Sequence, residues 1–136
     1  MPYRNESFDF VYSIGVLHHL DRDTDRALAY AEIHRVLKPG GIFLLHETNP
    51  PNLLFRFYMG YVFPILKSID EGTEQWIHPQ QLHIEGMHLD GVKYSTFLPD
   101  FTPAPLMKPL TALDRRLEAS RWKKYAAHYF ATFRKT

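Results

Sequence analysis

Two histidine-containing sites and one carboxylate stand where the first two apolar stretches of the sequence end. His18 and His19 follow the first stretch, and His46 and Glu47 follow the second. Imidazole titrates near neutral pH, so a histidine in a pocket can take a proton from a hydroxyl or a carbon acid. Adjacent side chains point in different directions, so at most one of His18 and His19 faces a reacting group. The pattern predicts that His18 or His19 acts as a general base, and the alternative is a structural His pair. His46 and Glu47 either line a substrate pocket or are simply polar loop residues.

A metal site is another possible use of these side chains, because the chain has 8 histidines. The four residues named above could converge, and His83 and His88 form a second candidate pair. Neither set has the i,i+4 helical pair or another spacing that specifies zinc. The chain has no cysteine, which excludes disulfides and thiolate ligands. The sequence therefore favours no metal.

The elements that position these residues form a strand, a helix and a second strand. Phe8–Ser13 is a near-continuous apolar run, typical of a strand covered on both faces. A helix is predicted over Asp21–Leu37, and Pro39-Gly40-Gly41 ends it. Ile42–His46 is the second buried strand. This order predicts a parallel strand pair in an α/β fold. The side chains expected to cap the helix are Asp21, Asp23, Thr24 and Asp25.

Residues 53–76 contain an aromatic segment for which two interpretations remain. Leu53–Ile69 is apolar on all sides, and Pro64 interrupts any helix there. The segment either packs as a helix against the sheet or forms a lid that covers an apolar substrate. In the second case Phe55 and Tyr58 line the substrate pocket together with His46 and Glu47.

The rest of the sequence predicts alternating helices and strands. The predicted elements are a helix over His78–Leu89, a strand over Val92–Leu98, a helix over Met107–Trp122 and a strand over Tyr125–Arg134.

Composition restricts the function classes. Hydrophobic residues make up 45% of the 136 residues, which indicates one packed domain. The formal net charge is +1, so overall charge gives no case for a nucleic-acid partner. No apolar run reaches the roughly 20 residues of a spanning helix, and we expect a cytoplasmic protein. We expect one basic run to form a solvated helix face rather than a contact with RNA or lipid. It comprises Arg115, Arg116, Arg121, Lys123 and Lys124.

Three blocks of the sequence carry a resemblance to a known family. They are Pro2–Val11 with its Ser-Phe-Asp sequence, Val16-Leu17-His18-His19-Leu20, and Val36-Leu37-Lys38-Pro39-Gly40-Gly41. In this order they resemble class I S-adenosylmethionine-dependent methyltransferases, specifically the type 11 group. The resemblance implies methyl transfer from S-adenosylmethionine to a small acceptor. It also implies a Rossmann-like sheet in which this chain supplies family strands four to seven, in spatial order 4-5-7-6 with the last strand antiparallel.

The resemblance further assigns roles to residues after the first strand. His18 and His19 become the candidates for the catalytic base. The family holds its cofactor mainly through a glycine-rich loop that this sequence lacks. We therefore expect 1–136 to be a single partial domain that binds S-adenosylmethionine weakly or not at all by itself. The positions that match the cofactor contacts near the methionine part are Ser13, Ile14, Gly15 and Leu17.

The expected strand order leaves Phe8–Ser13 at the edge of the sheet. An apolar exposed edge strand favours pairing with another chain. We therefore expect a homodimer or another assembly through this edge. The second hypothesis for function is a non-catalytic fragment or partner subunit that assembles in this way.

Overall fold

Four strands form one mixed sheet in this computed structural model, which describes residues 1–20, 22–57, 60–61, 75–98 and 103–136. The spatial order is β1-β2-β4-β3, with β1 parallel to β2 and β4 antiparallel to both of its neighbours. The predicted α/β class and the predicted order of first, second, fourth and third strand are confirmed. The strands are β1 (Phe8–Ile14), β2 (Leu37–Thr48), β3 (Met87–Ser95) and β4 (His128–Lys135).

Helix α1 (Asp23–Val36) makes the crossover between the two parallel strands, as predicted. Its N-cap is Arg22, whose side chain makes no capping hydrogen bond. The expected N-cap role is therefore wrong for Asp23, Thr24 and Asp25, which lie inside the first turn of the helix. The charges of Asp23 and Asp25 there still favour the positive end of the helix dipole. Asp21 lies outside the described residues.

Strand β2 is longer than the sequence predicts at its start. Helix α1 ends at Val36, and Leu37 already pairs with Phe8 of β1. Pro39-Gly40-Gly41 therefore belongs to an irregular start of the strand, where Gly40 has a φ of +75°. The reason is packing, because Leu37 is fully buried and extended backbone carries it into the core.

The helix predicted over His78–Leu89 is wrong. Only a 3₁₀ turn forms there, Pro79–Gln81, and β3 begins at Met87. Asp90 and Gly91, which resembled a boundary, form a bulge within the strand. Pairing with β4 determines that this region is extended. Because β4 is distant in sequence, the pairing leaves no pattern in the region itself.

The remaining helices are α2 (Leu53–Phe57) and α3 (Ala104–Glu118), and a 3₁₀ turn (Arg121–Tyr125) joins α3 to β4. Helix α3 thus begins earlier and ends earlier than predicted. Most of the segment 58–74 lies outside the described residues, so the lid interpretation of 53–76 stays a prediction.

The two faces of the sheet differ in what covers them. Buried side chains of β2 and β4 pack with α1 on one face, and Phe43, Leu45 and Phe133 form the centre of this core. On the other face, Phe10, Tyr12 and Ile14 of β1 are exposed. Strand β1 is also the last strand of the sheet on its side. The predicted exposed edge is therefore present in the described part of the chain.

Candidate active site

The end of β1 provides the backbone at the centre of the site. Ser13 is half-buried, whereas Ile14 and Gly15 are exposed. Gly15 has a φ of +57°, and its N–H donates to the carbonyl of His46 at 2.9 Å. Positive φ is a conformation that glycine adopts without a steric penalty. Alternate residues of a parallel strand direct their backbone groups to the same neighbour, so Ile14 directs its N–H and C=O away from β2, towards the edge.

The His18 imidazole and the Glu47 carboxylate form a buried pair. His18 Nδ1 lies 2.6 Å from Glu47 Oε2, and the Leu17 N–H donates to Glu47 Oε1 at 3.1 Å. Glu47 is 1% exposed and His18 is 7% exposed. Parallel strands β1 and β2 end at the same edge, which is why residues from both ends meet. Both carboxylate oxygens are therefore held, and the carboxylate in turn orients the ring.

Aromatic side chains pack around the His18 ring. Trp76 stacks on it with ring centroids 5.0 Å apart, and the His19 ring lies 4.1 Å from it. Phe55 of α2 meets Trp76 edge-on at 4.6 Å. His19 is exposed and His18 is buried, but the two rings lie against each other, so the expectation that adjacent side chains point in different directions is wrong for this pair. The His18–Glu47 pair therefore lies next to the aromatic side chains of Trp76 and Phe55.

Three hydrogen bonds fix the segment that carries Trp76. The Gln75 N–H donates to the His18 carbonyl at 3.0 Å, and Arg26 Nη2 donates to the Gln75 carbonyl at 3.2 Å. On the other side of Trp76, the buried Tyr129 hydroxyl donates to the Ile77 carbonyl at 2.9 Å. The tryptophan is therefore placed by the sheet and by α1.

Two tyrosines near Glu47 are held in their protonated form. Burial raises the pKa of Tyr30 to about 12, and the nearby Glu47 carboxylate adds to the effect against the opposing charge of Arg26. Burial and then the charge of Glu47 also raise the pKa of Tyr129 well above its ordinary value. Neither phenol is therefore suited to act as a base near neutral pH.

His46 lies on the opposite face of the sheet from Glu47, because adjacent residues of β2 alternate between faces. Its ring stacks on Phe130 at 4.2 Å and meets His128 at 5.1 Å. Burial lowers the pKa of His46, and the nearby His128 lowers it further. The structure thus brings Glu47 and Phe55 to the His18 region and places His46 elsewhere. Tyr58, the fourth predicted pocket residue, lies outside the described residues.

No group of three or more residues able to hold a metal ion occurs among the described residues. His83 and His88 are both exposed.

Sequence reasoning missed Trp76, Arg26 and Tyr129 as parts of the site. Each comes from a different element, and only Trp76 gave any signal, as a lone large aromatic at the end of a polar stretch. Contacts between elements so distant in sequence leave no spacing pattern.

Comparison with known proteins gives one family match. Residues 1–45 match the family described as a methyltransferase domain. These residues include β1, the two histidines and α1. The predicted resemblance to a methyltransferase family is thereby confirmed for these residues.

Curated relatives match parts of the chain. A demethylmenaquinone methyltransferase from Lysinibacillus sphaericus is 36% identical over 74 residues, which are 51% of this chain and 30% of that protein. A tRNA (carboxymethyluridine(34)-5-O)-methyltransferase from Arabidopsis thaliana is 49% identical over 45 residues, which are 33% of this chain and 11% of that protein. The chain thus spans about a third or less of the length of these relatives.

Solved structures match the fold over the whole chain. A methyltransferase from Thermotoga maritima, described as S-adenosylmethionine-dependent, matches with a TM-score of 0.66 at 16% identity and covers 100% of this chain and 60% of that one. A methyltransferase from Haloferax volcanii, solved in complex with its Trm112 activator, matches with a TM-score of 0.53 at 16% identity over 99% of this chain and 57% of that one.

Proposed function

Residues 1–45 carry the methyltransferase-domain pattern on a methyltransferase fold, and we propose that this chain supplies the acceptor side of an S-adenosylmethionine-dependent methyltransferase site. In this proposal His18 is the general base and Glu47 is its positioning residue. The observation that carries the proposal is the buried 2.6 Å contact between His18 Nδ1 and Glu47 Oε2.

The Glu47 carboxylate determines where the proton of the neutral His18 ring resides. An ionised carboxylate only accepts hydrogen bonds, so the ring nitrogen that faces it carries the proton. The tautomer with Nδ1–H leaves the lone pair on Nε2. His18 therefore takes a proton from the acceptor at Nε2 and holds the imidazolium charge against Glu47. The Leu17 N–H on Oε1 keeps the carboxylate from rotating away.

The family implies S-adenosylmethionine, which supplies an electrophilic methyl group on its sulfonium sulfur. The end of β1 suits a ligand of this kind, since Ile14 and Gly15 are exposed residues at the last strand of the sheet on its side. Among the described residues, a Cβ built on Gly15 would meet His18 Cε1 at 3.9 Å, so His18 lies directly beside this backbone. We propose Ser13, Ile14 and Gly15 as contacts of the methionine part. The buried Leu17 contributes through its N–H to Glu47.

Cofactor binding by this polypeptide alone is expected to be weak. The proposed contacts reach only the methionine part, and the sequence contains no glycine-rich loop. Isothermal titration calorimetry with S-adenosylmethionine tests this. A dissociation constant in the micromolar range contradicts the expectation.

A small, apolar acceptor suits the wall beside His18. Trp76 and Phe55 present aromatic surface there, and Glu47 is already bonded on both oxygens. The Lysinibacillus sphaericus relative, named for demethylmenaquinone, is in accord with this acceptor class. A tRNA acceptor is the rival, on the strength of the Arabidopsis thaliana relative.

The decisive experiment measures transfer of labelled methyl from millimolar S-adenosylmethionine to a reduced naphthoquinone or to tRNA. Removing a general base lowers kcat by roughly 100- to 10,000-fold, which we expect for His18→Gln with little change in KM. The exposed neighbour provides the matched control, and His19→Gln should retain most of the activity. Wild-type kcat in His18→Gln contradicts the assignment of the base.

Assembly through β1 is the second candidate function. It is favoured by the exposed side chains of Phe10 and Tyr12 on a strand with a neighbour on one side only. We propose that a second copy or a partner subunit pairs with this edge. Sedimentation velocity should show a dimer that Tyr12→Lys dissociates. A monomer at high concentration contradicts assembly through β1. No labelled product with either acceptor contradicts the methyltransferase proposal.

A further inference from the structure

A surface formed by α2, α3 and the turn that follows α3 combines a cavity with exposed basic side chains. Helix α2, the end of α3 and the 3₁₀ turn Arg121–Tyr125 meet around a cavity of about 250 Å³. Asn52 Nδ2 donates to the Tyr125 carbonyl at 2.7 Å, and Asn49 Nδ2 donates to the Lys124 carbonyl at 2.9 Å. These bonds hold α2 against the turn. We call this region the docking surface, and its members are Leu53, Leu54, Leu117, Arg121, Trp122 and Lys124.

The apolar members of the docking surface are exposed to an unusual degree. Leu53 is 64% exposed, Leu54 is 49% exposed and Trp122 is 50% exposed. Large apolar side chains grouped on one surface mark an interaction site more often than scattered ones do. A stripe along α3 extends the surface at the spacing of one helix face, and it consists of Leu106, Leu110, Leu113 and Leu117.

All exposed charged side chains of α3 and of the 3₁₀ turn after it are basic. Two acidic side chains of α3 point inward, where Asp114 accepts from the Phe97 N–H and Glu118 accepts from the Thr96 N–H, each at 2.6 Å. Six basic side chains are exposed, and none forms an ion pair with another described residue. They are Lys108, Arg115, Arg116, Arg121, Lys123 and Lys124.

Two of these cations lie on the aromatic rings that line the cavity. The Arg121 guanidinium is 5.7 Å from the centre of the Trp122 ring, and Lys124 Nζ is 5.0 Å from the centre of the Tyr125 ring. Positive charge therefore borders the apolar opening directly. A partner that fits has anionic groups next to apolar ones.

We propose that the docking surface binds the face of an anionic phospholipid bilayer. The phosphates meet Arg121 and Lys124, while the leucines and Trp122 enter the boundary between headgroups and acyl chains. Exposed leucines have no role in stacking on bases, so the surface suits lipid better than RNA. No described helix is long and apolar enough to cross a membrane, and the proposed contact lies on one leaflet only.

The position of α2 connects this surface to the candidate active site. Leu53 and Leu54 line the cavity, while Phe55 of the same helix turn contacts Trp76 beside His18. An apolar acceptor dissolved in the bilayer thus meets the docking surface on the helix whose Phe55 connects through Trp76 to His18. This last step rests on the proposed function, whereas membrane binding itself does not.

Co-sedimentation with vesicles tests the proposal without any need for enzymatic activity. We expect the chain to bind vesicles containing phosphatidylglycerol, to bind pure phosphatidylcholine vesicles far more weakly, and to lose binding as salt rises. Each cation near an anionic surface contributes about a factor of five, so the double variant Arg121→Gln/Lys124→Gln should bind roughly 30-fold more weakly.

A matched pair of charges on α3 provides the control. Lys108 and Arg115 line a separate face of the helix, turned away from the leucine stripe. Lys108→Gln/Arg115→Gln removes the same charge and should weaken binding by less than about threefold, because these cations stay farther from the phosphates. Trp122→Ser should weaken binding without changing the salt dependence. Circular dichroism confirms that each variant is folded.

Several outcomes overturn the proposal. They are no binding to phosphatidylglycerol vesicles, equal binding to phosphatidylcholine, and an equal loss in the control pair. Tighter binding of tRNA than of vesicles at the same salt, lost in Arg121→Gln/Lys124→Gln, assigns the surface to RNA instead. If vesicles bind as expected and methyl transfer is absent, only the proposed function fails.

Discussion

Replacing Glu47 by glutamine tests how the His18 ring is held. The carboxylate receives two donors, the Leu17 N–H at 3.1 Å and His18 Nδ1 at 2.6 Å. A glutamine amide has one acceptor oxygen and one donor nitrogen of similar size, so it can satisfy only one of the two donors. If its oxygen stays on Leu17, its NH₂ faces His18. His18 must then accept at Nδ1 and move its own proton to Nε2.

The expected magnitude follows from these two contacts. A hydrogen bond to a charged group contributes about 1.5–3 kcal/mol, and Glu47→Gln should lower the free energy of unfolding by an amount in this range. Glu47→Ala leaves both donors without a partner, at about 1–3 kcal/mol each. Urea denaturation measures both losses. Glu85→Gln is the matched control, because Glu85 is exposed.

Nitrogen-15 NMR of the histidine rings reads the tautomer directly. We expect Nδ1–H in the wild-type His18 ring and Nε2–H in Glu47→Gln. The same variant should then lose methyl transfer to about the same extent as His18→Gln. An unchanged tautomer together with unchanged stability refutes the positioning role of Glu47.

Two further predictions concern the surroundings of the site. Tyr129→Phe removes the donor to a buried carbonyl, so the free energy of unfolding should fall by about 1–3 kcal/mol in urea denaturation, whereas Tyr94→Phe should stay within about 0.5 kcal/mol. The pKa of His46 is lowered by burial and by His128, so the unfolded chain binds the proton more readily. His46 therefore supports stability above its unfolded pKa of about 6.5, and this support is lost as pH falls through the lower folded pKa. His46→Gln should flatten the fall in stability between about pH 7 and 5; an unchanged pH profile contradicts the reasoning.

Local patterns predicted the first half of the fold well. The apolar run Phe8–Ser13, the helix before Pro39 and the strand Ile42–His46 each carry their signal within a few residues. The region from His78 to Leu89 carries no such local signal, because its structure depends on the pairing of β3 with β4. Pro79 starts only a 3₁₀ turn, and no local feature shows that the chain then continues extended.

The site was predictable in part for the same physical reason. The order strand, helix, strand placed His18 and Glu47 at one edge, and the structure brings them into contact. The sequence could not show which of His46 and Glu47 faces His18, since a shift of one residue exchanges the faces of a strand. It also could not place Trp76, which reaches His18 from a segment without periodic pattern.

The most direct test of the central claim is an NMR titration of the backbone amides with S-adenosylmethionine at millimolar concentration. If the end of β1 holds the methionine part beside His18, the amides of Ser13, Ile14, Gly15 and Leu17 should shift, and Gly15→Val should abolish these shifts. Shifts confined to other parts of the chain would contradict the account.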